Sequence, residues 1–251
     1  MFENQKPIQK DKLHNQVYDR LCTLLREGEF TPGKAVRVAE VAKAFGVSAM
    51  PVREALTRLL AVGVLSNVSG RSVGVPELSL EELEDLRDVR LEVETLATRW
   101  AVEKRDASFM ADLEGLLDQL EKSAFIGDVR QYVKTNYEFH FRVYQQSHSS
   151  TLTEIINTLW LRVSPHLYYL EREEQFKVSN EHHRKIVKMI REGDADGASV
   201  ALGQDISDAY DMLVRLSSIH KEWVKTLKSI SFQLVSEDSC NQIDHTSAKY
   251  F

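Results

Sequence analysis

Cysteine is nearly absent from this chain: among 251 residues only Cys22 and Cys240 carry a thiol. One falls on the apolar side of the first helical pattern and the other in a polar tail, so no disulfide framework is implied and a reducing compartment suits the sequence. Long apolar runs are missing as well. No stretch approaches the roughly 20 apolar residues that a membrane span requires, and the N-terminal MFENQKPIQKDK lacks the apolar region of a secretory signal. A soluble, cytoplasmic chain is expected. There is no internal repeat and no low-complexity run. Nor is there a basic excess, since the formal net charge is −6. The distribution of charge matters more than the total: residues 1–78 hold 11 Lys+Arg against 8 Asp+Glu, whereas residues 79–251 hold 21 against 30. Two units of opposite sign are predicted, each long enough to bury a core.

What is present is most informative between Arg37 and Val64, RVAEVAKAFGVSAMPVREALTRLLAVGV. Val38, Val41, Ala42 and Phe45 share one helical face, which stops at Gly46, a residue suited to the left-handed conformation that ends a helix. Ser48 is placed to cap a second helix. There Val52, Ala55, Leu56, Leu59 and Leu60 face inward, leaving Ala49, Met50, Arg53 and Thr57 outward on the N-terminal half. Two short helices around a Gly-containing turn have the shape of a DNA-reading helix-turn-helix. After it, Val62 to Pro76 contains two β-prone runs joined by SNVSG, which reads as a hairpin wing.

Residues 14–77 resemble the winged helix-turn-helix of GntR-family bacterial transcription regulators. The resemblance rests on Pro32-Gly33, Gly46-Val47-Ser48, Pro51-Val52-Arg53-Glu54-Ala55-Leu56 and Gly70 in the wing. It implies a DNA-binding surface built from Arg37, Lys43, Ser48, Ala49, Met50, Arg53, Arg58, Gly70 and Arg71. Ala49 and Met50 replace the Arg and Thr that many relatives carry, so they offer only apolar contact, for instance with a thymine methyl. Arg53 remains as the candidate for bidentate contact to guanine. Arg37, Lys43, Arg58 and Arg71 read as phosphate contacts or as solvated charge.

Beyond Pro76 the pattern is almost wholly helical, divided by capping signals. Ser79 with Glu82 opens a helix to about Lys104, Asp106 one to about Phe125, and Asp128 one to about Ser147. Thr151 with Glu154 is expected to start a fourth helix, interrupted by Pro165; Ser179 precedes a short fifth ending at Gly193, and Asp194 a long sixth running past Leu216. The expected organisation is a DNA-binding domain over 1–77, an all-α domain over 78–235 for effector binding and dimerisation, and a polar tail over 236–251.

At 3.6 residues per turn, Asn136 and His140 fall in the middle of the stripe marked by Val129, Val133 and Val143, with Arg130, Lys134, Glu138 and Arg142 turned away. His183 shares its stripe with Ile186, Val187 and Ile190, while His182 lies to one side. Asp205 sits among Ala198, Ala201, Ala209, Met212 and Leu216, where an isolated buried carboxylate would cost several kcal/mol. Two imidazoles, one carboxylate and one amide oxygen inside a bundle make a candidate site for a divalent cation, with Zn²⁺ first and Ni²⁺, Mn²⁺ or Fe²⁺ also compatible.

Residues 80 to about 220 resemble the FCD effector-binding domain of the FadR subfamily, many members of which bind a metal through Asp, His, His and His. That resemblance aligns the family's DxxxH with Asn136 to His140, its EHRxI with His182 to Ile186, and its last histidine with Asp205. Arg90, inward with Leu83, Leu86, Ala97 and Ala101, matches the Arg of RxxLE; it suits an effector carboxylate or a structural pair with Glu94. Arg162, Tyr137 and His166 are further pocket candidates. These readings predict a homodimeric transcription regulator, a repressor of a catabolic operon, that binds a palindromic operator in double-stranded DNA and responds to a small organic acid. Two rivals remain open: effector binding through Asn136 and Asp205 without a metal, and a non-haem metalloenzyme fused to a DNA-binding unit. No general base or nucleophile pair stands out to support the latter.

Overall fold

A computed structural model describes residues 11–70, 72–167 and 173–215. Five elements form the N-terminal unit: α1 (Asp11–Arg26), α2 (Val38–Phe45), α3 (Ala49–Ala61), β1 (Ser66–Ser69) and β2 (Ser72–Gly74). Gly46 ends α2 in the left-handed region with φ 65°, as its place in the turn requires. Ser48 occupies the N-cap of α3 with extended backbone, but its side chain makes no capping hydrogen bond. Val17, Leu21 and Leu25 of α1 pack on Val52, Ala55, Leu56 and Leu59 of α3, closing a core with Val64, Leu65 and Val75. Half-buried Val38, Val41 and Phe45 flank that core, and Ala42 enters it.

The wing departs from expectation. SNVS belongs to β1 itself, and the reversal is made at Gly70, φ 55°, with a bulge between Asn67 and Ser69. A left-handed glycine turns the chain without the longer SNVSG loop. The segment before α2 adds a third edge, through Val36 N–H to Val73 O at 2.8 Å and Gly33 N–H to Val75 O at 2.9 Å. Arg71 lies outside the described residues.

The second unit is helical: α4 (Leu80–Glu103), α5 (Ala107–Ile126), α6 (Val129–Gln146), α7 (Ser150–Leu167), α8 (Glu173–Glu192), and α9 over 195–215. Ser79 and Glu82 form the reciprocal capping box of α4, and Asp106 and Asp128 accept the backbone N–H groups of Phe109 and Gln131. Asp194 caps α9 by accepting from Gly197 N–H at 2.8 Å. Phe109, Leu113, Leu120, Phe139, Val143, Tyr144, Ile156, Ile186 and Ile190 are fully buried between the helices.

Three boundaries correct the sequence reading. The α7 start is held by Ser149, whose hydroxyl accepts from Leu152 N–H at 3.3 Å, and not by Thr151 with Glu154. Pro165 does not interrupt α7: the helix runs through it to Leu167, although the proline has no N–H to give the carbonyl four residues back. Finally, α8 is 20 residues long and runs through Ser179, whose hydroxyl donates to Asp205 Oδ1 at 3.1 Å instead of capping. Leu216 and the tail over 236–251 lie outside the described residues. Among the described residues, no helix is long and apolar enough to cross a membrane.

The two units touch through α1 and α7. Leu161 of α7 is buried in the core of the winged helix, and Arg130 of α6 reaches Glu27 and Glu29 at 3.4 Å each.

Candidate functional site

Helix α3 buries its apolar stripe and leaves Ala49, Met50, Arg53 and Thr57 exposed on one face, Met50 by 69%. Lys43 is exposed nearby on α2, and exposed Arg37 donates to Glu40 at 2.9 Å. Arg58 turns the other way. Its guanidinium lies 3.9 Å from the Tyr18 ring centroid and donates to Asn15 Oδ1 at 3.0 Å, so it braces α3 against α1. Gly70 forms the wing tip.

Inside the helical unit, α6, α8 and α9 bring His140, His183 and Asp205 together. His140 Nε2 lies 3.2 Å from His183 Nε2 and 3.3 Å from Asp205 Oδ2, and His183 Nε2 lies 4.0 Å from the same oxygen. Both imidazoles are essentially inaccessible, at 1% and 0% exposure. Two ligands on one ion at about 2.0–2.1 Å stand roughly 3.0–3.4 Å apart in tetrahedral or octahedral geometry. The His140 edges match that separation.

Hydrogen bonding orients these atoms. Tyr144 O–H donates its one hydrogen to Glu94, so its oxygen can only accept from His140 Nδ1, 3.4 Å away. Burial, with the adjacent Glu94 carboxylate, raises the Tyr144 pKa well above its ordinary value and keeps that hydrogen in place. His183 Nδ1 faces Asn180 Oδ1 at 3.5 Å, an oxygen that also accepts from Tyr132 O–H at 3.0 Å. Both rings therefore carry hydrogen on Nδ1 and turn an Nε2 lone pair toward Asp205. Burial pushes the His183 pKa down to about 3, which keeps the ring neutral. Two lone pairs and a carboxylate oxygen converging at this distance repel one another unless a cation lies among them. Asn136, one turn before His140, has a buried Oδ1 with no hydrogen-bond partner among the described residues. The donor set fits a divalent cation.

Part of this cluster borders a cavity of about 120 Å³. Asn136, His140, Asp205 and Arg90 line it, as do Tyr137, Trp160 and His182. Arg90 is 6% exposed and donates from Nε to Glu94 Oε1 at 2.6 Å and from Nη2 to Oε2 at 3.4 Å. Burial opposes its charge, but the Glu94 carboxylate more than offsets this and raises its pKa. The structural pairing anticipated from the sequence is therefore present, and Arg90 still borders the cavity. His182 is not peripheral. It is buried on the cavity wall with Nε2 2.7 Å from Asp208 Oδ2. Neither Arg162 nor His166 lines the cavity. Sequence reasoning missed Tyr144, Asn180, Asp208 and Arg26. Tyr144 stands one turn beyond His140, a detectable spacing; Arg26 comes from the other unit and carried no signal.

The family model for "Bacterial regulatory proteins, gntR family" matches residues 13–75, and that for the FCD domain matches residues 85–208. The chain is 35% identical over 155 residues to the HTH-type transcriptional regulator McbR of Escherichia coli, spanning 62% of this chain and 70% of that protein. It is 26% identical over 207 residues to the "Probable D-xylose utilization operon transcriptional repressor" of Paenarthrobacter nicotinovorans, spanning 82% and 91% of the two chains. The solved structure of E. coli McbR/YncC superposes with a TM-score of 0.77 at 29% identity, covering 82% of this chain and 99% of that one.

Proposed function

From the premise that the chain belongs to the gntR family of bacterial regulatory proteins and carries an FCD domain, we propose that it is a cytoplasmic, homodimeric repressor. It releases a palindromic operator when a small organic acid binds beside a metal ion in the helical domain. In this reading residues 1–77 bind DNA and residues 78–235 bind the effector and form the dimer, and the repressor sense is supported by the name of the xylose-operon relative.

The observation that carries the reading is the convergence of His140 Nε2, His183 Nε2 and Asp205 Oδ2, all within 4.8 Å of one another, with His140 and Asp205 on the border of a cavity. His140, His183 and Asp205 would hold the ion, with Asn136 Oδ1 as a fourth donor. A bound divalent cation such as Zn²⁺ supplies a positive anchor for a carboxylate. Tyr144 and Asn180 fix the ring orientations, and Ser179 fixes Asp205. Helix α3 would enter the major groove, with Arg53 contacting base edges and Ala49 and Met50 apolar atoms, while Arg37, Lys43 and the wing around Gly70 and Arg71 meet phosphates. An acid that binds one dimer arrangement better than another shifts the DNA-competent population.

Elemental analysis of purified protein tests the site. About one divalent ion per chain is expected in the parent and in His182→Ala, and none in His140→Ala or His183→Ala. A metal-free parent, or equal metal in all variants, overturns the ligand assignment.

A further inference from the structure

Arg26 belongs to the last turn of α1 in the DNA-binding domain, yet its side chain lines the cavity between α6, α7 and α9. Its guanidinium lies 4.6 Å from the Tyr137 ring centroid, and Nη1 donates to Asn157 Oδ1 at 3.2 Å, an oxygen that also faces Tyr137 O–H at 3.4 Å. Among the described residues no carboxylate lies within ion-pair distance of it. The other arginine on the wall, Arg90, is bound to Glu94. Of the two cations, Arg26 is the one whose partners here are neutral.

We propose that Arg26 is the carboxylate receptor of the effector cavity, so that the acid binds both domains at once and its occupancy is felt directly by α1. The proposal rests on the effector reading above. An arginine whose partners among the described residues are an amide oxygen and a ring gains an opposite charge and a bidentate geometry when a carboxylate arrives. That gain exists only while α1 is docked on α7, where Leu161 lies in the winged-helix core. By linkage, the acid favours the docked arrangement to the same extent that docking favours the acid.

The test uses the full-length, metal-containing protein. Acetate, glycolate, succinate and citrate, with succinamide as the neutral counterpart, are titrated by calorimetry into the parent, Arg26→Gln, Arg26→Lys and Asn157→Ala. At least one acid is expected to bind the parent and succinamide to fail. Arg26→Gln should weaken the acid tenfold or more with metal content unchanged, Arg26→Lys less, and Asn157→Ala least. A second readout needs no variant: the bound acid should slow hydrogen exchange over residues 20–27 of the parent while leaving α2 unchanged. Undiminished affinity in Arg26→Gln, or exchange in α1 indifferent to acid, overturns the role of Arg26 and leaves the effector reading standing. If no acid binds the parent, the effector reading itself fails, and this inference with it.

Discussion

Replacing Arg90 by Ala should destabilise the helical domain even in the absence of any acid. Glu94 is 0% exposed, and its carboxylate is held by Arg90 Nε at 2.6 Å, Arg90 Nη2 at 3.4 Å and the Tyr144 hydroxyl. Removing the guanidinium leaves a buried anion with one neutral donor. Breaking a buried pair from one side costs about 3–5 kcal/mol, and at about 2–4 °C per kcal/mol for a chain of this size the melting temperature should fall by roughly 6–20 °C. Thermal unfolding followed by circular dichroism, at constant metal and without carboxylate buffers, measures the fall. Arg90→Met combined with Glu94→Gln should recover most of it, because no charge is then buried and the Gln oxygen still accepts from Tyr144. A single Arg90→Ala variant melting within about 2 °C of the parent would refute the reasoning and return Arg90 to a purely ligand-binding role.

Arg53→Ala should weaken operator binding by roughly 1–3 kcal/mol while leaving the oligomeric state unchanged; a mobility-shift titration at fixed salt reads this, and unaltered affinity removes Arg53 from the base-reading surface. His166 is buried, and burial lowers its pKa to about 4, against about 6.5 in the unfolded chain. Between those values the unfolded chain binds a proton that the folded one excludes, so its contribution is complete above about pH 6.5 and is lost as the pH falls toward 4, at up to about 1.4 kcal/mol per unit. Urea unfolding of the parent against His166→Gln should show the flatter slope in the variant. At Gly74, an added Cβ would lie 2.2 Å from the Lys34 carbonyl oxygen, so Gly74→Ala should force the wing from the strand edge before α2 and cost about 1–3 kcal/mol, read as a lower denaturation midpoint; a midpoint equal to the parent's would show that the edge yields freely.

The local elements were legible because their causes are local. The apolar spacing of Val52, Ala55, Leu56 and Leu59 determines which side of α3 is buried, and the caps at Ser79, Asp106 and Asp128 act within three residues of themselves. Inward histidines on amphipathic helices were legible for the same reason: helical periodicity places His140 and His183 on buried faces whatever those faces meet. The errors fell where a competing partner comes from elsewhere. Ser179 has the chemistry of a cap but spends its hydroxyl on Asp205, which lies 26 residues away in sequence.

By itself, the sequence determined the helical content, the winged helix-turn-helix, the exposed face of α3 and the inward polar groups of the second domain. Tertiary structure alone decided that those groups meet at 3.2–4.0 Å, that Arg90 is neutralised while Arg26 is not, and that α1 reaches the cavity wall. These outcomes depend on how separate helices cross, and crossing is set by packing between side chains distant in sequence, which periodicity along one helix does not encode.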